Sequence, residues 1–297
     1  MGLKIFNRAT GKLDDEKIYG EKWLRFLYEN WLGRWLGNIV SCHLFSKIFG
    51  YWEDSRWSAR KINGFVQQFN IDLDDFEKGN EDYYSSFNAF FIRRFAVGRR
   101  IFVSDRTRMP AFAEARYLGF KKINATQVFP VKGKFLSAEV VLEKSSCASR
   151  FTDGPVLIAR LCPLDYHRFH FPDDGEIVEQ YRCSGKLHSV SPVALRYKSD
   201  IFATNEREVS IIKTKNFGLL AYVEVGATCV GKIVQSHERG RNFMRGDEKG
   251  YFLFGGSTVI VFGEKGAWHP ALDISMNSEK GIETLVQLGQ EVAVAVI

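Results

Sequence analysis

Two histidines three residues apart, His167 and His170, are the clearest candidates for proton transfer in this sequence. They lie in the segment RLCPLDYHRFHFPDDG, and its prolines, aspartates and glycine are typical of the loop or strand ends where functional groups gather. If the backbone is extended there, the side chains point to opposite faces. We therefore expect the two rings to serve different purposes, which disfavours a two-histidine metal site. Taken alone, the pair is also compatible with ordinary structural histidines.

A hydroxyl pair, Ser257 and Thr258, directly follows two glycines in the strand-rich run GDEKGYFLFGGSTVIVFGEKG. Glycines at this place permit an unusual backbone turn. The nucleophile elbow of α/β-hydrolases requires glycine two residues after the serine, and Val259 stands there, so that class is excluded. A phosphate-binding loop is poorly supported because its lysine and its following helix are both missing. Read without further information, the glycines form a bulge or a tight turn.

The elements that must position these residues are mostly strands. After about Phe102 the chain consists of short β-branched and aromatic runs separated by Gly, Pro and Asp. No long helical pattern lies between the runs, so we expect an α+β fold whose main part is an antiparallel β-rich sandwich or barrel-like domain. The predicted strands are VFPVKGKF, VLIARL, EIVEQYRC, EVSIIK, GLLAYVEV, YFLF, STVIVF and EVAVAVI.

From Glu21 to about Phe69 the apolar residues follow a helical period. Five of the six tryptophans fall in this part of the chain, close to lysines and arginines. Such helices could dock in a lipid headgroup layer or pack their rings onto the main domain. A polar connector follows at residues 71–85. We therefore predict an N-terminal helical, membrane-contacting region over 1–75 and a β-rich catalytic domain over 87–297.

The composition favours an anionic partner. The 297 residues carry a net charge of +6, and 14% are aromatic, which suits a lipid surface. The basic residues form no run and no nucleic-acid motif, so a nucleic-acid partner is not expected. The five cysteines are scattered singly, which argues against a disulfide framework or zinc site and suits a reducing compartment. The N-terminus has no apolar leader, and apolar stretches are too short to span a bilayer.

Five segments, in order, resemble those of the phosphatidylserine decarboxylases. Each motif alone is weak, but the five together identify the chain as a member of that family. They are FNAFFIRRFAVGRR at 87–100, ARLCPLDYHRFHFPDDG at 159–175, FATNER at 202–207, VEVGATCVGKI at 223–233 and GGST at 255–258.

The resemblance implies that the chain makes its own cofactor. In this family the serine of Gly-Ser-Thr attacks the preceding carbonyl, the chain breaks, and the serine becomes a pyruvoyl group. Here the break falls between Gly256 and Ser257 and gives a β chain, 1–256, and an α chain, 257–297. The pyruvoyl group forms a Schiff base with phosphatidylserine, carbon dioxide leaves, and phosphatidylethanolamine is released for phospholipid biosynthesis. Thr258 would orient the pyruvoyl group, and no metal or pyridoxal phosphate is expected.

The resemblance also assigns roles to the ionisable residues. It implies that His170 is the base for self-cleavage and that His167 acts in decarboxylation and protonation. The family's orienting aspartate aligns with Glu114 in Ala-Glu-Ala-Arg, a glutamate one methylene longer. Asp105 is the alternative acid.

The expected partner of the site is phosphatidylserine in a membrane. The β and α chains of the cleaved precursor are expected to form a heterodimer, and the prediction also allows a homo-oligomer. The expected location is the cytoplasmic face of the cell membrane, as a peripheral protein. Two rival interpretations remain at this point. One is a pyruvoyl decarboxylase that acts on a soluble amino acid, and the other is a non-processing relative that only binds lipid.

Overall fold

The computed structural model describes residues 3–16, 18–122, 137–198, 200–228, 232–238 and 240–296, apart from three side chains at positions 34, 38 and 81. The predicted strand VFPVKGKF and residues 229–231 of VEVGATCVGKI lie outside the described residues.

Nine α-helices are found in the described residues. They are α1 (Glu21–Glu29), α2 (Trp31–Val40), α3 (His43–Asp54), α4 (Lys61–Phe69), α5 (Phe87–Phe91), α6 (Ala138–Leu142), α7 (Pro192–Tyr197), α8 (Ile201–Thr204) and α9 (Leu272–Glu279).

Fifteen strands are found in the same residues. They are β1 (Lys4–Asn7), β2 (Lys12–Asp15), β3 (Arg108–Pro110), β4 (Ala115–Phe120), β5 (Val156–Leu161), β6 (Arg168–His170), β7 (Gly175–Cys183), β8 (Arg207–Thr214), β9 (Leu219–Val225), β10 (Ile233–Gln235), β11 (Glu248–Phe252), β12 (Ser257–Gly263), β13 (Trp268–Pro270), β14 (Glu283–Val286) and β15 (Glu291–Ala295).

Most strands belong to one nine-stranded sheet with the order β2-β1-β14-β4-β5-β12-β9-β8-β7. Its pairs are antiparallel except for β1 with β14. Two three-stranded sheets, β10-β11-β6 and β13-β15-β3, complete the β-structure. The predicted α+β class with a mainly antiparallel sheet is confirmed. Among the described residues the large sheet is open, with β2 and β7 at its edges, and does not close into a barrel.

The N-terminal residues form a hairpin that the sequence pattern does not reveal. Strand β1 pairs in parallel with β14 and thereby joins the catalytic sheet. Next to it, the Arg8 side chain donates to both carboxylate oxygens of Asp273 at 2.8 and 2.7 Å. Strand β2 reads KLDD and is exposed throughout, so it lacks the apolar alternation by which strands are recognised.

Helices α1 to α4 confirm the helical pattern between Glu21 and Phe69. On α1, Leu27 is buried, and the Tyr28 hydroxyl accepts a hydrogen bond from the Ser189 amide at 2.9 Å, so one face packs on the sheet domain. The opposite faces of these helices and the turn after α3 carry tryptophans that are 53–76% exposed: Trp23, Trp31, Trp35, Trp52 and Trp57. In the described part of the chain, no helix is long and apolar enough to cross a membrane.

An aromatic cluster joins the helices to the loops around the site. It is separate from the larger core under the main sheet. Phe91 of α5 contacts Phe254 edge-on at 5.0 Å, and Phe95 lies 4.4 Å from Tyr166 between ring centroids. These rings hold the loop before β6 and the turn before β12. The segment from α5 to Phe95 therefore supports both the loop that contains His167 and the turn before Ser257.

Candidate active site

Ser257 is fixed by the sheet and by the turn before it. It is the first residue of β12, pairs with Leu161 of β5, and is completely buried. Gly255 has φ 140°, a conformation that favours glycine. Just upstream, the Phe254 amide donates to the Asn88 side chain at 2.9 Å. The glycine turn thus begins at an anchored residue and ends at the start of a central strand.

His167 lies beside this serine. Its Nδ1 is 3.4 Å from the Ser257 hydroxyl, and its Nε2 is 2.8 Å from the Cys162 carbonyl oxygen. Because a carbonyl only accepts, Nε2 carries the proton and Nδ1 turns its lone pair toward the serine. Burial lowers the pKa of His167 to about 3, and the charges of Arg93 and Arg116 act in the same direction.

His170 has different partners. Its Nδ1 donates to the Gly246 carbonyl at 2.8 Å, and its Nε2 accepts from the Tyr166 hydroxyl at 3.1 Å. Burial lowers the pKa of His170, but the nearby carboxylates Glu248 and Asp247 oppose that shift. The two rings therefore face different groups, and of the two only His167 contacts Ser257.

The two predicted acids are engaged with other residues. Glu114 accepts from the Arg100 guanidinium at 2.6 and 3.0 Å and from the Leu288 amide at 3.1 Å. Its link to the histidines runs through the backbone, since the His170 amide donates to the carbonyl of Phe112, two residues before Glu114. Asp105 is exposed at the surface and accepts from its own turn at Thr107 and Arg108.

The loop from Cys162 to His167 is held from two sides. On one side, the Asp165 carboxylate accepts from the Cys162 amide at 2.6 Å and from Arg116. On the other, buried Arg93 donates to the carbonyls of Leu164 at 2.9 Å and Asp165 at 3.4 Å. Sequence reasoning missed these roles, although Arg93 and Asp165 lie inside motifs that it singled out.

An apolar cavity of about 270 Å³ ends at the glycine turn. Gly255 and Gly256 form part of one wall, together with Cys162 and Arg160. The facing wall comes from the N-terminal helices, with Trp23, Leu24, Leu27, Val40, Phe45 and Phe49. Because Trp23 is also half exposed, the cavity wall extends from the outer surface of the helices to Gly256.

A family match covers the residues whose geometry is described above, including His167, the glycine turn and Ser257. The sequence profile described as phosphatidylserine decarboxylase matches residues 87–294. The chain belongs to the phosphatidylserine decarboxylase family. Membership of this family makes it a carboxy-lyase.

Curated members of the phosphatidylserine decarboxylase family are similar over nearly the whole chain, including the N-terminal hairpin and helices. A protein of Clostridium kluyveri named phosphatidylserine decarboxylase proenzyme is 40% identical over 293 residues, covering 98% of this chain and 99% of the relative. A protein with the same name from Clostridium tetani is 39% identical, with the alignment covering 98% of this chain and 97% of the relative. Another from Clostridium novyi is 38% identical, with the alignment covering 98% of both chains.

Proposed function

We propose that this chain is a proenzyme that cleaves itself between Gly256 and Ser257 and then decarboxylates phosphatidylserine to phosphatidylethanolamine. The observation that carries the proposal is the position of Ser257. It is buried, directly follows Gly256 in the wall of an apolar cavity, and has a neutral histidine 3.4 Å from its hydroxyl. The relatives named as phosphatidylserine decarboxylase proenzymes support both the substrate and the cleavage.

Self-cleavage is a rearrangement of the chain's own atoms. The Ser257 hydroxyl loses its proton to a base and attacks the Gly256 carbonyl carbon, and the peptide C–N bond gives way to an ester. Loss of the Ser257 α-proton then breaks the Cβ–O bond, which releases Gly256 as a carboxylate and leaves dehydroalanine. Its enamine form becomes an imine, and water hydrolyses the imine to a ketone and ammonia. No outside oxidant or reductant is needed.

Both products are expected to stay together. Strand β12 pairs with β5 on one side and β9 on the other. Strand β14, also downstream of the cleavage site, lies between β1 and β4. The α chain therefore contributes two internal strands to a sheet whose other strands come from the β chain. Separation would expose the edges of several strands.

We propose that the two histidines act in different reactions, His170 in self-cleavage and His167 in turnover. For self-cleavage, the assignment of His170 with Glu114 as its acid is supported by the resemblance and by charge. Glu248 and Asp247 raise the pKa of His170 against the opposing charge of Arg168, whereas Arg93 and Arg116 both lower the pKa of His167. A general base works best when its pKa is near the working pH, and a pKa of about 3 makes His167 a weak base. The assignment requires His170 to exchange Tyr166 for Ser257 during maturation.

His167 suits turnover because it lies where the reactive carbonyl would form. The pyruvoyl group supplies an electron sink through Schiff-base chemistry with the substrate amine. A phospholipid brings negative charge to a site flanked by Arg93 and Arg116, and that charge raises the pKa of His167. Nδ1 can then carry a proton to the carbon that loses carbon dioxide.

The residues around position 257 fit a pyruvoyl group. Thr258 is completely buried, and its hydroxyl has no hydrogen-bond partner among the described residues. A buried hydroxyl without a partner is costly, and a carbonyl oxygen at the neighbouring position would accept from it. We propose this hydroxyl as the group that orients the pyruvoyl carbonyl.

The cavity and the helices support a membrane-bound substrate. The acyl chains of a phospholipid stay in the bilayer while the headgroup must reach Ser257. Exposed tryptophans on α1 and α2 are suited to the headgroup layer, and the net charge of +6 favours an anionic surface. We propose a peripheral location on the cytoplasmic face of the cell membrane.

Intact mass spectrometry of the purified protein tests the cleavage. We expect two chains that split after Gly256, with a pyruvoyl mass at the start of the shorter one, and an intact Ser257→Ala chain. A folded, uncleaved wild-type chain of 34.0 kDa would refute the proposal and favour a lipid-binding relative. Carbon dioxide release from phosphatidylserine vesicles, compared with release from free serine, separates this function from a decarboxylase of soluble amino acids.

A further inference from the structure

The carboxylate of Glu16, from the N-terminal hairpin region, is completely buried inside the catalytic domain. Both of its oxygens accept from Arg160 Nη2 at 2.9 Å, and Oε1 lies 2.5 Å from Arg116 Nε. The Cys162 thiol donates to the same oxygen, at 2.9 Å. One carboxylate therefore ties two arginines and a thiol together directly beside the strand that faces Ser257.

These contacts lead to His167 through Cys162. Arg116 binds the Asp165 carboxylate, and Asp165 in turn accepts from the Cys162 amide. The carbonyl of Cys162 accepts from His167 Nε2 and so fixes the tautomer that faces Ser257. Glu16 thus contacts the Cys162 thiol directly. It also acts on the Cys162 amide indirectly, through Arg116 and Asp165.

Both arginines keep another carboxylate partner when Glu16 is replaced by a neutral residue. Arg160 also binds Glu283, with Nε to Oε1 at 2.8 Å, and Arg116 keeps Asp165. Each arginine therefore retains one carboxylate in a Glu16→Gln variant, so no buried cation is left alone. What the variant loses is the negative charge beside Cys162 and the strong acceptor for its thiol.

We propose that Glu16 is a positioning residue for His167, through which the N-terminal hairpin sets the geometry of the decarboxylation site. This inference rests on the proposed turnover role of His167. It also gives the hairpin a function apart from membrane contact, since Glu16 lies before α1 and faces the sheet instead of the outer surface.

The test compares Glu16→Gln with wild type after both have been cleaved to completion, as judged by intact mass. Turnover of phosphatidylserine in mixed vesicles is measured per cleaved chain. We expect kcat to fall about tenfold or more, because small misplacements of a catalytic group cost that much, with KM unchanged. Loss of the Glu16 charge leaves Arg116 less neutralised and lowers the pKa of His167, so the alkaline limb of the kcat profile should move to lower pH.

Two further variants separate positioning from general loosening of the fold. Asp273→Asn breaks the Arg8 ion pair that also ties the N-terminal residues to the catalytic domain, and we expect it to keep the wild-type kcat and pH profile. Glu16→Asp keeps the charge with a shorter reach and should restore the pH profile and part of kcat.

The inference is overturned if cleaved Glu16→Gln keeps the wild-type kcat and pH profile, or if Asp273→Asn reproduces its defect. It is also overturned if Glu16→Gln raises KM and leaves kcat unchanged. A wild-type chain that stays uncleaved would instead refute the proposed function, so the two failures are distinguishable.

Discussion

The Phe91 ring stacks on the His167 imidazole, with centroids 3.8 Å apart and planes inclined by 22°. The stack fixes the plane of the imidazole, and the Cys162 carbonyl fixes its rotation within that plane. Phe91 and Cys162, which are 71 positions apart, thus determine the direction of one lone pair. The contact places α5, a helix of five residues, against the histidine that we propose acts in turnover.

Replacing Phe91 with leucine should lower kcat severalfold, because leucine keeps much of the apolar volume but removes the flat face against His167. The measurement is decarboxylation per cleaved chain, together with the midpoint of thermal unfolding. Phe65→Leu is the matched control, since buried Phe65 packs edge-on against Phe87 in the same aromatic cluster. Each change should cost about 1–2 kcal/mol of stability, and equal losses of kcat would contradict a specific role for Phe91.

Alanine variants of the two histidines should separate maturation from turnover. We expect His170→Ala to remain a single chain, because it removes the proposed base for self-cleavage. We expect His167→Ala to cleave and then fail to decarboxylate, with kcat reduced by about 100-fold or more. Intact mass and carbon dioxide release measure the two steps. A His167→Ala chain that stays uncleaved would instead make the 3.4 Å contact with Ser257 the maturation pair.

Glu114 variants test the predicted acid. Glu114→Gln should slow cleavage about tenfold or more, because it removes the charge that would stabilise a protonated His170. Glu114→Asp, which restores the family's residue type, should cleave. Time courses of the newly synthesised chain provide the rate. Asp105→Asn is the control for the alternative acid and should cleave at the wild-type rate, whereas a slow Asp105→Asn would transfer the role to Asp105.

Exposed tryptophans on α2 should control membrane binding. The double variant Trp31→Ser and Trp35→Ser should bind anionic vesicles at least about tenfold more weakly, because each ring buries substantial apolar area at a membrane interface. Vesicle co-sedimentation measures the change. Val178→Ser, an exposed apolar position on the edge strand β7, should have no effect. Point variants are preferable to deletion of residues 1–70, which would also remove β1 and Glu16.

His188 should make stability fall in mild acid. Burial lowers its pKa to about 4, so between roughly pH 6.5 and 4 the unfolded chain binds a proton that the folded chain does not. The free energy of unfolding should therefore decrease by up to about 2 kcal/mol over that range. Urea unfolding of the Ser257→Ala chain, at pH 7 and pH 5, measures it. The same chain carrying His188→Gln should lose less stability, and an unchanged slope would contradict the assignment.

Much of the fold was predictable because its signals are local. The helical period between Glu21 and Phe69 and the β-branched runs VLIARL, EVSIIK and STVIVF each reflect burial of one face or of both faces of a single element. The run YFLF was only half correct as a strand, since β11 ends at Phe252. The Phe254 amide instead bonds to Asn88, and a side chain so distant in sequence gives no local signal.

The sequence by itself indicated the candidate residues and the predicted cleavage point, because the order of the short motifs that it shares with the family can be read along the chain. The tertiary structure decided which histidine faces Ser257, that Glu114 binds Arg100, and that Glu16 enters the catalytic domain. Each of these depends on contacts between distant segments, such as residues 16 and 160, which pack together only when the sheet assembles. Local patterns specify elements, whereas the direction of one buried side chain is set by all the elements packed around it.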